Sequence, residues 1–371
     1  MASAFDIIVV GGGAIGAACA RELALAGRHV LVIEPDTELG QAWRAAAGML
    51  APQIEADGAD PLLELGLAAR DHYDHLAPAL LETTGTDVGL WHEGIARVAT
   101  EEPEAAALQE KVRWQRRQGY ETEWLDRDDV KGRWPWVGPA VGALWASRDG
   151  AIDPGQLVAA LLADAKRQGT TILRDSATAI LTGAAGVEGV VTKTDRYSAP
   201  DVVVAAGAWS GLIQGIPRML PVQPVRGQMV AVPWPEGMKR AILYHRDCYV
   251  MTRGREAVLG STMEHAGFHS EVTPAGLAHI LAGTMALCPG LIRAKVRRSW
   301  AGLRPLTPDG LPIIGKEPSL KGLWYATGHG RNGILLAGLT GLIMAQLIGG
   351  ATPTQNLSPF APERFDISRA P

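Results

Sequence analysis

The sequence predicts an α/β fold, an open doubly wound (Rossmann-like) parallel sheet, joined to an α+β domain built on a mainly antiparallel sheet. Three observations lead there. An apolar run ends in Gly11-Gly12-Gly13 and is followed by a helix-like stretch and a second apolar run. Strand-then-helix patterns return in the middle and at the end of the chain. Between them, residues 217–300 carry short β-rich segments such as VRGQMVAVP, CYVMTR and AVLGSTM, broken by turns.

The elements follow in order. Phe5, Ile7, Ile8, Val9 and Val10 read as a buried strand, Ala14–Ala26 as a helix ended by Gly27, and HVLVIE (29–34) as a second strand. Residues 61–83 and 102–118 read as helices, the second highly charged and therefore on the surface. VGLWHEGIARVAT (88–100) alternates like a strand pair. DPGQLVAALLADAKRQG (153–169) has an acidic cap, a Pro in its first turn and a terminal Gly, which predicts a helix. TILRD (171–175), a hairpin over 187–196 and DVVVAAG (201–207) supply strands. A helix at 274–287 interrupts the β-rich segment, and GLWYATG (322–328) then leads into a long apolar helix, 333–348. Residues 1–86, 148–216 and 302–371 are assigned to one discontinuous domain, and 87–147 and 217–301 to the second.

Composition narrows the function classes. A formal charge of −4 and a pI near 6.2 give no electrostatic case for nucleic acid. Cys19, Cys248 and Cys288 are odd in number and far apart, with no CxxC or zinc-finger spacing, so neither a disulfide framework nor a metal site is expected. A reducing cytoplasm is the expected location. Residues 333–350 lack charge but hold five glycines and fall short of a comfortable bilayer span, so a core helix is expected and no membrane contact.

Gly11-x-Gly13-x-x-Gly16 lies between strand and helix. Gly11 allows the tight turn, Gly13 the approach of a pyrophosphate, and Gly16 close helix–sheet packing. Ala14 and Ile15 open the helix whose N-terminus faces the phosphates. Glu34, at the tip of the second strand, is placed to accept from ribose hydroxyls. RAAAGMLAP, with Ala46, Ala47, Gly48 and Met49, suits backbone approach to a flat ring or a small-residue helix start. Ala206, Gly207 and Trp209 end an apolar strand and read equally as core. At 329–334, His329, Gly330, Arg331, Asn332, Gly333 and Ile334 form a polar Gly-rich loop running into a helix, whose positive end suits a developing negative charge.

The segments GGGAIG, AAAGML, VVVAAGAWS, WAGLRPLTPDGLPIIG and GHGRNGILLA together resemble the D-amino-acid oxidase superfamily, most closely the glycine oxidases, over nearly the whole chain. The resemblance implies non-covalent FAD and a substrate domain covering the reactive face of the flavin. Arg304, set among apolar residues and prolines with no acid beside it, matches the family's carboxylate clamp. A guanidinium fork suits a planar anion. Tyr249 matches a second carboxylate contact, and Arg331 an arginine near flavin and substrate. Met49 and Met263 match apolar pocket positions. Asp247, flanked by Arg246, stands where glycine oxidases often carry histidine, so these two residues are expected at the pocket entrance.

The implied reaction is hydride transfer to flavin N5 from glycine or an N-substituted glycine (sarcosine, N-alkyl or N-carboxymethyl amines). It gives an imine that hydrolyses to glyoxylate plus amine, with hydrogen peroxide formed from molecular oxygen. A role in thiamine biosynthesis is the plain family expectation. The competing expectation is a D-amino-acid dehydrogenase that passes electrons to another acceptor. Assembly into a homo-oligomer is left open.

Overall fold

The computed structural model describes residues 5–35 and 40–366. The outermost ends of the first assigned domain, residues 1 and 371, lie outside them. Among the described residues, six strands form one sheet in the order Ile313–Lys316, Leu323–Thr327, Asp201–Val204, Ile7–Val10, Val30–Ile33 and Thr171–Leu173. All neighbours are parallel except the first pair. The strand Ile7–Val10 is buried on both faces, which is why its sequence is uniformly apolar rather than alternating. Ile7 and Val9 pack under the helices Ala14–Leu25, Pro61–Thr84, Pro154–Arg167 and Gly333–Ile348. Ile8 and Val10 face the other way, onto a three-stranded antiparallel sheet formed by Ala177–Gly183, Gly186–Thr192 and Arg196–Ser198. One face of the parallel sheet is therefore covered by a small sheet instead of a second helix layer.

The apolar segment Gly330–Ile348, which runs into the helix Gly333–Ile348, is long and apolar enough to cross a membrane by length and composition alone, yet the helix's central residues are core. It lies against Ala14–Leu25 so closely that a Cβ on Gly341 would sit 2.6 Å from the Ala18 backbone.

The second sheet has eight strands, in the order Arg298–Leu306, Gln223–Pro233, Glu256–Gly260, Cys248–Arg253, Ile242–His245, Ile95–Ala99, Gly142–Ala146 and Glu123–Asp126. Only Ile242–His245 and Ile95–Ala99 run parallel. Period-2 alternation sorts its side chains. Val230, Val250 and Leu259 pack with Ile280 of helix Pro274–Leu287 on one face, while Met229, Tyr244 and Tyr249 occupy the other with Ala47, Ala51 and Ile54.

Three details differ from the sequence reading. Residues 88–100 hold one strand, Ile95–Ala99; Trp91 makes only an isolated bridge to Ala151, because Gly94 turns the chain at φ +75 and His92 and Glu93 are exposed. The strand from Asp201 stops at Val204, and Gly207 at φ +55 starts a 3-10 turn. The boundary placed at residue 302 falls inside Arg298–Leu306, which pairs along its length with Gln223–Pro233. Arg304 is thus carried by the antiparallel sheet.

Candidate active site

The two sheets meet over a cavity of about 590 Å³. At one end the loop after Ile7–Val10 exposes Gly11, Gly13, Ala14 and Ile15, and Glu34 closes it. Gly11 sits at φ +103, where a Cβ would lie 2.4 Å from the Ala205 carbonyl oxygen. Gly16 lies under the helix, not on the cavity. A Cβ there would come within 1.8 Å of the Gly11 carbonyl oxygen, so this glycine sets the helix–loop distance. The Glu34 carboxylate accepts from the Gly12 N–H at 2.6 Å and from Gln41 Nε2 at 2.6 Å. Burial pushes its carboxyl above the usual range, against the pull of these donors.

Backbone lines the middle of the cavity, through Ala46, Ala47 and Gly48 on one side and Ala206, Gly207 and Trp209 on the other. His329 through Ile334 close the far wall, with the start of helix Gly333–Ile348 facing the space. The His329 ring is buried; its Nε2 lies 3.2 Å from Thr340 Oγ1, and burial lowers its pKa to about 3, so it is neutral.

Arg304, Tyr249 and Arg331 converge at the end under the antiparallel sheet. Arg304 donates to the Thr262 carbonyl and to Ser261 Oγ, both at 3.0 Å. Among the described residues no carboxylate reaches it at ion-pair distance. Burial pulls its pKa down, the signature of a desolvated and uncompensated cation. The space for it comes from the neighbouring strand. A Cβ on Gly227 would lie 2.1 Å from Arg304 Nη1. Gly260 does the same for Tyr249, whose hydroxyl would be 2.5 Å from a Cβ there. That hydroxyl donates to Met229 Sδ at 3.1 Å, and burial raises it to about 12, so it stays protonated.

Arg331 is different. Its guanidinium pairs with Glu55 Oε1 at 2.8 Å, and Tyr244 donates to the same oxygen at 2.8 Å. The sequence reading passed over Glu55 and Tyr244. The one signal was a lone acid at the end of the otherwise uncharged AAAGMLAPQIE. Glu55 ends the short helix Pro52–Glu55, which a buried network pins in place. Asp149 accepts from the Gln53 and Ile54 N–H groups at 3.1 and 2.9 Å and pairs with Arg70 at 3.1 Å. Lys111 donates to the Ile54 carbonyl at 2.9 Å.

Three expected pocket residues lie elsewhere. Met263 is 53% exposed and does not line the cavity, because the chain after Ser261 and Thr262 turns outward. Arg246 and Asp247 form the tip of the hairpin between Ile242–His245 and Cys248–Arg253, outside the cavity. Arg246 is held by Glu101 and Glu104, and Asp247 by His279. Met49 lines the cavity as expected, and Met229 takes the place assigned to Met263.

Residues 6–347 match the model of the family described as FAD dependent oxidoreductase. The chain belongs to the FAD dependent oxidoreductase family. Over 366 residues it is 33% identical to a glycine oxidase of Geobacillus kaustophilus, covering 97% of both chains. The crystal structure of glycine oxidase from that organism superposes with a TM-score of 0.91 over 96% of this chain and 98% of the other. A bifunctional protein ThiO/ThiG of Nostoc is 36% identical over 354 residues, 92% of this chain and 52% of that longer one.

The residues present fit the family's FAD. Beside Gly13, the Trp43 Nε1–H is buried with no partner, as is His329 Nδ1 at the other end of the cavity. Such groups are costly unless a bound molecule satisfies them. Gly11, Gly13, the helix start at Ala14 and Glu34 would hold the dinucleotide portion, and the Ala46–Gly48, Ala206–Gly207 and 329–334 backbone the ring. A Gly13→Val chain is expected to lose FAD: even a Cβ there meets Trp43 Cδ1 at 3.2 Å, and the branches fill the pyrophosphate approach. Absorbance of the purified protein, with far-UV circular dichroism showing a retained fold, checks this. A variant as yellow as the wild type would contradict it.

Proposed function

We propose that the protein oxidatively deaminates glycine or a small N-substituted glycine to glyoxylate and an amine. The observation that carries the reading is the charge balance at the end of the cavity that holds Arg304, Tyr249 and Arg331. Arg304 is a partly buried, desolvated cation with no carboxylate at ion-pair distance among the described residues, whereas Arg331 is neutralised by Glu55. The site holds one uncompensated positive charge, which suits one carboxylate and a neutral amine.

Arg304 binds the carboxylate through its guanidinium fork, and Tyr249, protonated across the working pH range, donates a second contact. Met49 and Met229 line the cavity, Met229 against the Tyr249 hydroxyl, and this apolar wall favours glycine derivatives over bulky D-amino acids. FAD, when bound, supplies the hydride acceptor. Among the described residues no side chain is positioned as a base: His329 is neutral but turned to Thr340, and Glu55 is engaged by Tyr244 and Arg331. The amine therefore arrives already neutral, and its lone pair assists loss of the Cα hydrogen. The relatives named glycine oxidase support the substrate class, and those named ThiO/ThiG support a place in thiamine biosynthesis. With oxygen as acceptor the balance is glycine, oxygen and water to glyoxylate, ammonia and hydrogen peroxide.

The test is kcat/KM for glycine, sarcosine, longer N-alkylglycines, iminodiacetate and D-alanine through D-phenylalanine. Peroxide and dye reduction are followed in parallel. Glycine or sarcosine should lead. Large D-amino acids outrunning every glycine derivative, with dye reduced and no peroxide formed, would favour a D-amino-acid dehydrogenase instead. Glu55→Gln should release a second positive charge at Arg331, so selectivity should move from glycine toward iminodiacetate by roughly tenfold, the scale of one charged contact. An unchanged ratio would show that Glu55 does not set the charge count.

A further inference from the structure

On the side of the antiparallel sheet away from the cavity, three groups from two segments some 31 positions apart come together. The hairpin tip supplies Asp247 and Cys248, and helix Pro274–Leu287 supplies His279. His279 Nε2 lies 2.9 Å from Asp247 Oδ2 and 3.8 Å from Cys248 Sγ, and the three donor atoms fall within 4.8 Å of one another. We propose that Asp247, Cys248 and His279 form a site for a thiophilic divalent cation of the zinc class, with its fourth position open to water.

The distances match that chemistry. Zinc–sulfur and zinc–nitrogen bonds at the tetrahedral angle put S and N about 3.6 Å apart, and N and O about 3.3 Å. The first pair needs almost no movement and the second a few tenths of an ångström. Sulfur, imidazole and carboxylate with one open position are a ligand set that zinc takes and that magnesium or calcium does not.

The surroundings are shaped for the sulfur. Gly283, one turn beyond His279, is an interior helix glycine, a residue that helix propensity disfavours there. A Cβ there would stand 2.7 Å from Cys248 Sγ, so its absence lets the helix close over the sulfur. On the other side of the turn Arg246 takes φ +52, a region unfavourable for a side chain, and is held there by Glu101 and Glu104. That clamp directs Asp247 to the helix. Cys248 is buried, while His279 and Asp247 reach solvent and leave an entry path. Binding displaces the thiol proton to solvent and ties the hairpin to the helix. It leaves the flavin cavity untouched, because Tyr249, the next residue, points to the opposite face.

Tag-free holoenzyme, stripped with chelator, is titrated with Co2+ and then Zn2+. One equivalent of cobalt should develop ligand-field bands at wavelengths beyond the flavin absorption, and zinc should bleach them and raise the melting temperature. His279→Ala, at a half-exposed position that leaves the core intact, should weaken cobalt binding by roughly tenfold or more, given that losing even an outer-shell partner costs that much. It should keep the wild-type kcat. Cys248→Ala should abolish the bands. Wild-type protein without these bands, or bands equal in the wild type and both variants, would overturn the proposal.

Discussion

Arg304→Ala should lose about 30- to 5,000-fold in kcat/KM for the best substrate while the protein stays yellow. The range converts the roughly 2–5 kcal/mol that truncating one partner of a buried charge pair costs. The loss should be selective because Arg304 donates only to Thr262 and Ser261 within the protein, and none of its bonds reaches the loops around Gly13 or Ala46. Removing a desolvated cation that has no carboxylate beside it should even favour the folded state slightly, since its desolvation is not fully repaid without substrate. Steady-state kinetics, with a melting curve of the same samples, check both halves. Activity within a fewfold of wild type would place the carboxylate elsewhere. Arg304→Lys should recover little, because a point charge on a flexible stem cannot reproduce the fork.

Asp149→Ala should destabilise the protein by about 3–5 kcal/mol, the cost of breaking a buried ion pair from one side. Asp149 is fully buried and receives Arg70 Nη1 and the Gln53 and Ile54 N–H groups. Without it, two backbone donors at the start of helix Pro52–Glu55 lose their acceptor, and Arg70 keeps only Asp71 and the Gln53 side-chain oxygen. Burial pushes the Asp149 carboxyl up to about 7, against the pull of Arg70 and those N–H groups, so the comparison belongs at a higher pH, where the pair is charged. The damage should extend to the site, because that helix ends in Glu55. Denaturant unfolding and the glycine-to-iminodiacetate ratio should therefore change together. Wild-type stability would show that the network around Gln53 does not depend on its carboxylate.

How legible these features were in the sequence follows from how local their causes are. The glycine loop, Glu34 and helices 61–84, 274–287 and 333–348 could be read because caps, proline positions and apolar runs act within a few residues. Arg304 could be read as a cation without a local acid, and among the described residues the structure brings it no carboxylate from further along the chain, only the Thr262 carbonyl and Ser261 hydroxyl. The strand that carries it could not, since Pro305 and Pro308 follow and its pairing partner lies some eighty residues earlier. Gly227 and Gly260 look like ordinary strand glycines until the side chains they make room for are placed opposite them. Asp149, Arg70 and Glu55 come from three separate segments and leave no periodic mark. Met263, Arg246 and Asp247 were carried over from a resemblance, and their surroundings here are solvent, an acidic pair and His279.

The most direct measurement is the binding of acetate, a carboxylate with nothing to oxidise, followed by perturbation of the flavin spectrum in wild-type and Arg304→Ala holoenzyme. Saturable binding to the wild type that is lost in the variant is the expected result, since among the described residues no carboxylate neutralises this guanidinium at that end of the cavity. Equal affinity in both proteins would contradict the assignment of Arg304 as the group that holds the substrate.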